Sequence, residues 1–329
     1  MTNLRAGLIG LGMMGRNHAR VLASLDGVDL VGVADPAGDV HGVAAGRPVV
    51  ATIDELIALE LDYCMVAVPT GLHEEVGLAL ASGGVHAMIE KPLAVDVASA
   101  AKLADAFDAA GLVGAVGHIE RYNPALQQCR HRLERGDLGA VYQVATRRQG
   151  PFPSRIADVG VIKDLATHDI DLTAWVTQQP FVGVSARTAY KSGREHEDLV
   201  AAVGLLADGT VTSHLVNWLS PMKERVTIVT GEKGTLVADT LSADLTFFAN
   251  GTVSTQWDAI AKFRGVSEGD MVRYAFAKPE PLRTEHEAFR DAVRGLDSDI
   301  VTMRQGLATV AVAVSMIESA QSGVSQSIV

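Results

Sequence analysis

Six consecutive residues near the start of this chain, Gly10-Leu11-Gly12-Met13-Met14-Gly15, restrict its fold more than any others. They follow a short apolar run at 6–9, the pattern of a buried parallel strand, and they precede a segment of helical character at 16–24. Glycine at the first two motif positions permits a tight turn and close approach of the main chain to a pyrophosphate, and the third lets the helix pack on the strand. Phosphates then sit at a helix N-terminus, where unpaired N–H groups and the helix dipole favour anions. Asp35, twenty residues beyond Gly15, closes a second strand expected at 30–34. A carboxylate there accepts both ribose hydroxyls of an adenosine. The expected ligand is a dinucleotide held by Gly10, Gly12, Met13, Met14, Gly15 and Asp35. Asp35 points to NAD rather than NADP, because a carboxylate repels a 2′-phosphate. Arg47 is considered as a phosphate partner, without further support in the sequence.

Composition narrows the class. A chain of 329 residues suits two domains and allows a large core. Hydrophobic residues make up 48%, as in globular proteins. The net charge is −11 and no Lys/Arg-rich run occurs, which argues against nucleic acid or an anionic membrane as partner. Cys64 and Cys129 are far apart; Cys64 falls in an apolar strand and reads as a buried thiol, and neither a disulfide framework nor a zinc spacing is present. Residues 1–5 lead directly into the first strand without the pattern of a secretory signal, and no apolar stretch is long enough to span a bilayer. A cytoplasmic protein is expected.

The first third alternates strand and helix patterns, with strands expected at 6–9, 30–34, 63–68, 85–89 and 113–116, and with Asp54 and Asp96 as helix N-caps. Such alternation implies a parallel sheet covered on both faces, with ligands at the strands' C-terminal edge. After Gly117 the pattern changes. A helix begins near Pro124, strands are expected at 141–146, 181–188, 199–206, 210–218, 225–230, 235–238 and 245–248, and a helix at 164–176 interrupts them. Helices near 284–294 and 302–322 close the chain. The expected fold is an α/β Rossmann-type domain over 1–117, then an α+β domain over 118–329 with a large, mostly antiparallel open sheet for substrate binding and oligomerisation.

Three clusters carry chemistry. Pro69-Thr70-Gly71-Leu72-His73 follows the strand at 63–68 and faces the dinucleotide. Pro69, Thr70 and Gly71 shape a turn against it, and His73 either touches it or caps the next helix. Glu90-Lys91-Pro92 follows the strand at 85–89. An ammonium there can hydrogen-bond a substrate hydroxyl and stabilise developing oxyanion character; Glu90 could orient Lys91 by ion pairing. A Lys-Pro bond is among the few that can be cis. In the third cluster, a helix would put Asp164 and His168 on one face at i and i+4. A carboxylate beside an imidazole fixes its tautomer and raises its basicity, which suits a general base. Asp169 and Asp171 read as solubilising charges without a chemical role.

In order and spacing the chain resembles the glucose–fructose oxidoreductase / inositol dehydrogenase / rhizopine catabolism (Gfo/Idh/MocA) family of NAD(P)-dependent sugar oxidoreductases. The likeness rests on Gly10-x-Gly12-x-x-Gly15-x-x-His18, Pro69-Thr70-x-x-His73, Glu90-Lys91-Pro92 and Asp164-x-x-x-His168, and covers most of the chain. It implies that Lys91, Asp164 and His168 are the catalytic residues and that Lys91-Pro92 is cis. One departure concerns the glycine pair that many members carry before the aspartate: here the run is Gly160-Val161-Ile162-Lys163. The segments 117–124 and 160–171, and Asn217-Trp218 with Lys223 and Arg225, resemble the UDP-N-acetylglucosamine 3-dehydrogenase subgroup. A nucleotide-sugar needs cations for its diphosphate and flat faces for base or sugar. Arg121, Lys223 and Arg225 would supply charge, Tyr122 and Trp218 faces, and Asn123 a further contact.

The expected activity is oxidation of a sugar ring hydroxyl to a ketone by hydride transfer, with C3 of UDP-N-acetylglucosamine as the candidate the resemblance suggests and inositol or a free sugar as alternative substrates. A non-catalytic NAD-binding sensor is a rival of another class. A metal enzyme using Asp164, His168, His196, Glu197 and Asp198 lacks a compact ligand motif, so no metal is expected. The likeness also implies a homodimer or homotetramer.

Overall fold

The computed structural model describes residues 2–153, 159–251 and 269–328. The chain opens with β1 (Leu4–Ile9), α1 (Met13–Leu22), β2 (Val28–Ala34), β3 (Val49–Val50), α2 (Ile53–Ile57), β4 (Tyr63–Val66), α3 (His73–Ser82), β5 (His86–Glu90), α4 (Val97–Ala110) and β6 (Gly114–Gly117). The strands form a parallel sheet of order β3-β2-β1-β4-β5-β6, with the order reversing between β1 and β4. The strand interiors are mostly apolar because each face of the sheet is covered. Cys64 and Val66 of β4 join Leu80, Leu103 and Phe107 in one layer, whereas Tyr63 and Met65 join Leu8, Leu22 and Val33 in the other. The expected strand at 63–68 ends at Val66, ahead of Pro69 and a 3₁₀ turn at Thr70–Leu72. Asp96 caps α4 as expected, accepting the Ser99 N–H at 2.8 Å, and α4 ends at Gly111 with φ 65°. Asp54 is not a cap: the N-cap of α2 is Thr52, whose hydroxyl and Glu55 form a reciprocal capping box.

The next elements are α5 (Pro124–Glu134), β7 (Val141–Pro151), α6 (Thr167–Thr177), β8 (Phe181–Ala189), β9 (Leu199–Leu206), β10 (Val211–Asn217), β11 (Leu219–Gly231), β12 (Gly234–Asp239), β13 (Asp244–Ala249) and β14 (Met271–Arg273). Then come α7 (Pro281–Val293), α8 (Met303–Ser322) and β15 (Gln326–Ser327). The second sheet runs β14-β13-β12-β11-β7-β10-β9-β8-β15. Its pairs are antiparallel apart from β7 with β10. One face packs under α5 and α6 through Leu126, Cys129, Val144, Leu172, Val176, Val229 and Leu236. Along β9 buried and exposed residues alternate, leaving Val203 and Leu205 on the open face.

The single boundary expected at 117 differs from the observed division. One compact unit comprises the chain up to Ile119 together with Pro279–Val314; the other comprises Glu120 to Lys278 and the residues from Ser315. Late residues return to the first unit for identifiable reasons. Phe289 of α7 packs edge-on against Tyr63, with ring centroids 5.4 Å apart. Val301 O accepts the Val116 N–H at 2.9 Å, and Thr302 bridges Ala115. The helical and strand patterns were visible in the sequence, but the sheet edge on which they close is a long-range packing outcome.

Candidate active site

In the first unit, the loop from β1 to α1 is built for close approach. Gly10 has φ +88°, and a Cβ there would lie 2.6 Å from Ala67 O. A Cβ on Gly15 would strike the Gly10 carbonyl oxygen. At Gly12, the N-cap, a Cβ would meet no protein atom within 4 Å, and no side chain caps α1. The first-turn N–H groups of α1 are therefore left without a side-chain cap, beside a glycine with open space at its Cβ position. Asp35 sits one residue past β2; its Oδ2 accepts the Leu11 N–H at 2.8 Å and its Oδ1 the Ala37 N–H at 2.9 Å. The carboxylate braces the glycine loop and keeps lone pairs for ribose hydroxyls. These features fit a dinucleotide: an uncapped helix start for the pyrophosphate, a gap at Gly12 and an acceptor at the adjacent strand end. Arg47 is corrected as a phosphate partner. Its Nε donates to Leu30 O at 2.7 Å and its Nη1 to Ala44 O at 3.2 Å, which fastens it to the main chain.

Pro69 and Thr70 lie at the C-terminal end of β4, beside β1, where the sheet order reverses. His73 is corrected as a dinucleotide contact. It is 1% exposed, with Nδ1 2.9 Å from Pro92 O and Nε2 3.1 Å from Val68 O. Burial holds its pKa below the ordinary range, so the ring is neutral and donates to one of these carbonyls. It ties the loop after β4 to the loop after β5.

Glu90 ends β5 and is buried. Its Oε2 accepts the main-chain N–H of Lys91 at 3.1 Å, so it fixes the lysine's backbone, and its Oε1 lies 2.9 Å from His18 Nε2. Burial opposes the charged carboxylate, but the hydrogen bond from His18 and the charge of Lys91 outweigh it and hold the pKa below the usual range. The Lys91-Pro92 bond is cis, as the family resemblance implied.

In the second unit the expected helix at 164–176 is two elements. A π-helical turn spans Ile162–Ala166 and runs into α6. Asp164 is buried in the turn and His168 is half-buried in the first turn of α6. Such turns recur at functional sites. Glu197 anchors this one: its Oε1 accepts the Ile162 N–H at 3.0 Å and its main-chain oxygen the Val161 N–H at 3.0 Å. A Cβ on Gly160 would overlap the Glu197 carboxylate, so Gly160 is the glycine the anchor requires. Glu197 is thus committed to the main chain, and Asp198 accepts from Lys191 N, Ser192 N and Ser192 Oγ.

Asp169 and Asp171 are corrected from solubilising charges to buried ion-pair members. Asp171 takes a bidentate pair from Arg121, with Nε–Oδ2 2.8 Å and Nη2–Oδ1 2.6 Å. Asp169 Oδ1 lies 3.1 Å from Arg148 Nε, and Arg148 Nη1 reaches Glu120 Oε1 at 2.9 Å. Burial pushes the Asp169 carboxyl up to about 6 against the pull of Arg148. Most of the expected substrate contacts therefore have other duties. The Arg121 charge is matched by Asp171, and Tyr122 is buried. Asn123 caps α5 through Ala125 N at 3.0 Å and holds Thr240 O at 3.0 Å. Trp218 is 3% exposed, edge-on to Phe152. Lys223 is exposed, and Arg225 is half-buried, 3.5 Å from Glu120.

Residues 4–118 match the model of an oxidoreductase family with an NAD-binding Rossmann fold, and residues 126–237 match the GFO/IDH/MocA C-terminal domain. UDP-N-acetylglucosamine 3-dehydrogenase of Acidithiobacillus ferrooxidans is 33% identical over 216 residues, 65% of this chain and 66% of that relative. Myo-inositol dehydrogenase Hyg17 of Streptomyces leeuwenhoekii is 31% identical over 242 residues, 70% of this chain and 74% of that relative. The solved structure of the A. ferrooxidans enzyme, GnnA, is similar with a TM-score of 0.85 at 27% identity, covering 98% of this chain and 99% of that one. With both parts matched in order, the chain belongs to the GFO/IDH/MocA family of oxidoreductases.

Proposed function

We propose that this protein is an NAD-dependent sugar dehydrogenase that oxidises C3 of UDP-N-acetylglucosamine to a ketone. The observation that carries the assignment of chemistry is Lys91, which leaves the ligand edge of β5 with its main chain held by buried Glu90. The substrate comes from the likeness to a UDP-N-acetylglucosamine 3-dehydrogenase. Gly10, Gly12, Met13, Met14, Gly15, Asp35, Pro69 and Thr70 would hold the dinucleotide, which supplies the hydride acceptor. Lys91 hydrogen-bonds the reacting hydroxyl and steadies the negative charge that grows on its oxygen. His168, oriented by Asp164, removes the hydroxyl proton as general base. Lys223 and Arg225 remain as cations for a diphosphate. The relative Hyg17 is named a myo-inositol dehydrogenase, so an inositol is the second substrate reading.

The test is the near-ultraviolet absorbance of reduced nicotinamide after mixing protein, NAD and UDP-N-acetylglucosamine. A rise that vanishes in His168→Ala and Lys91→Ala, with NAD binding retained in both, supports the assignment. Full turnover in either variant removes that residue from the mechanism. No rise with the nucleotide-sugar but a rise with an inositol moves the substrate.

We further place the protein in the cytoplasm as a homodimer or homotetramer. Cys64 and Cys129 are buried free thiols, the state a reducing compartment maintains. The open face of the second sheet exposes Val182, Val203, Leu205 and Val211, an apolar surface suited to a second copy. Among the described residues no helix is long and apolar enough to cross a membrane.

A further inference from the structure

We infer that His18, backed by His286, is a positioning residue for Lys91 and acts through Glu90. The inference rests on the reading of Lys91 as catalytic. Three elements distant in sequence meet here. His18 of α1 and His286 of α7 are both 0% exposed. His18 Nδ1 lies 2.8 Å from His286 Nε2, with the rings edge-on at 72°. His18 Nε2 lies 2.9 Å from Glu90 Oε1, and Glu90 Oε2 accepts the Lys91 N–H.

The protons can be assigned. A carboxylate only accepts, so His18 Nε2 carries hydrogen. Burial depresses the pKa of His286 well below the ordinary range, so that ring is neutral and holds one proton. Its Nδ1 has no hydrogen-bond partner among the described residues. A proton on Nδ1 would be an orphaned buried donor, whereas a proton on Nε2 is donated to His18 Nδ1. His18 then accepts at Nδ1 and donates at Nε2. The chain runs from His286 N–H to His18, from His18 N–H to Glu90, with Lys91 N–H closing on the same carboxylate from the other side. Every donor points toward Glu90.

This arrangement links the helix that begins at the glycine loop to the backbone of the catalytic lysine. Among the described residues, the titratable groups acting on Glu90 include His18 from α1, Lys91 beside it and His73 from α3, and His286 stands behind His18. Removing His18 leaves Glu90 buried with less to hold it ionised, and a protonated Glu90 loses the charge that accompanies Lys91. His18→Gln retains an N–H donor at the Nε2 position; His18→Leu does not.

Two measurements on the protein without substrate decide the matter. In long-range ¹H–¹⁵N spectra of the wild type, both imidazoles should show the neutral Nε2–H tautomer at neutral pH. An imidazolium at His18 or an Nδ1–H form at His286 overturns the proton assignment. A ¹³C-carboxyl titration of Glu90 should move up by about one pH unit or more in His18→Leu and return most of the way in His18→Gln. An unmoved titration in His18→Leu, or a Gln variant that behaves like Leu, overturns the inference. If His18→Leu does not fold, the Gln variant and the wild-type tautomers carry the decision. In turnover of UDP-N-acetylglucosamine, His18→Leu should lower kcat about tenfold and leave NADH affinity within about twofold. Full turnover in Lys91→Ala would instead remove the reading of Lys91, whatever the spectra of His18 show.

Discussion

Glu90 and Glu120 are the same residue type, both buried, in two different settings. In the first unit Glu90 is answered by a histidine that is itself answered by a histidine. In the second, Glu120 is answered by Arg148, which also holds Asp169, with Arg225 at 3.5 Å. A guanidinium keeps its charge at any pH a protein meets, whereas an imidazole pair answers a carboxylate through directed N–H groups. The arginine cluster is thus suited to rigidity under the segment that carries Asp164 and His168. The histidine chain is suited to orienting the carboxylate that holds the Lys91 N–H. The settings also differ in what a deletion leaves behind.

The largest effect expected from that contrast is on stability. Arg148→Leu strands Glu120 and Asp169 without their shared cation, and should cost about 3–5 kcal/mol. Glu90→Gln keeps one acceptor oxygen for His18 but loses the one that takes the Lys91 N–H, and should cost about 1–3 kcal/mol. Denaturant unfolding monitored in both variants checks the pair; equal costs would erase the distinction. Asp35 offers an intermediate case, a half-buried carboxylate answered by main-chain N–H groups alone. Asp35→Ala should weaken NAD about tenfold, ~1.4 kcal/mol, by equilibrium binding. Unchanged affinity would remove Asp35 from the ribose site.

The smallest effect is a slope. Asp169 has its folded-state pKa raised from 3.8 to about 6. The stability this group contributes is fully present below the unfolded value and is lost as pH rises through the folded one. Glu120, held below its usual range despite burial because of Arg148, has the opposite sign: its contribution is present above 4.5 and is lost as pH falls. Comparing Tm from pH 4 to pH 7, Asp169→Asn should gain on the wild type as pH rises, by about 1 kcal/mol. A constant difference across that range would show that Asp169 stays ionised.

The parts of the site legible in the sequence are those encoded locally. The glycine loop, Asp35 and Lys91-Pro92 depend on neighbours within a turn or a strand end, and each stands where its residue type requires. The strand at 199–206 coincides with β9, because a short apolar run bounded by turn residues marks a strand locally. What failed depends on partners remote in sequence. Arg121 has the composition of a ligand cation, yet Asp171, fifty residues on, already occupies it. His18 was visible as the end of a motif, but no local pattern marks His286 as its mate, 268 residues away. The π-helical turn at Asp164 has no propensity signature. It follows from Glu197 taking the Ile162 N–H, for which the Gly160 beside it was the available hint.

The return of Pro279–Val314 to the first unit bears on how the chain is made. During vectorial synthesis Tyr63 emerges long before Phe289, and the Val116 N–H long before Val301. The N-terminal unit therefore waits, with one helical layer thin and one sheet edge open, while everything from Glu120 to Lys278 is added. The intervening unit has its own sheet and its own core under α5 and α6, and can consolidate first. Folding order then runs against chain order. A nascent chain released before α7 is in place would present the apolar floor of the dinucleotide domain to chaperones rather than to a ligand.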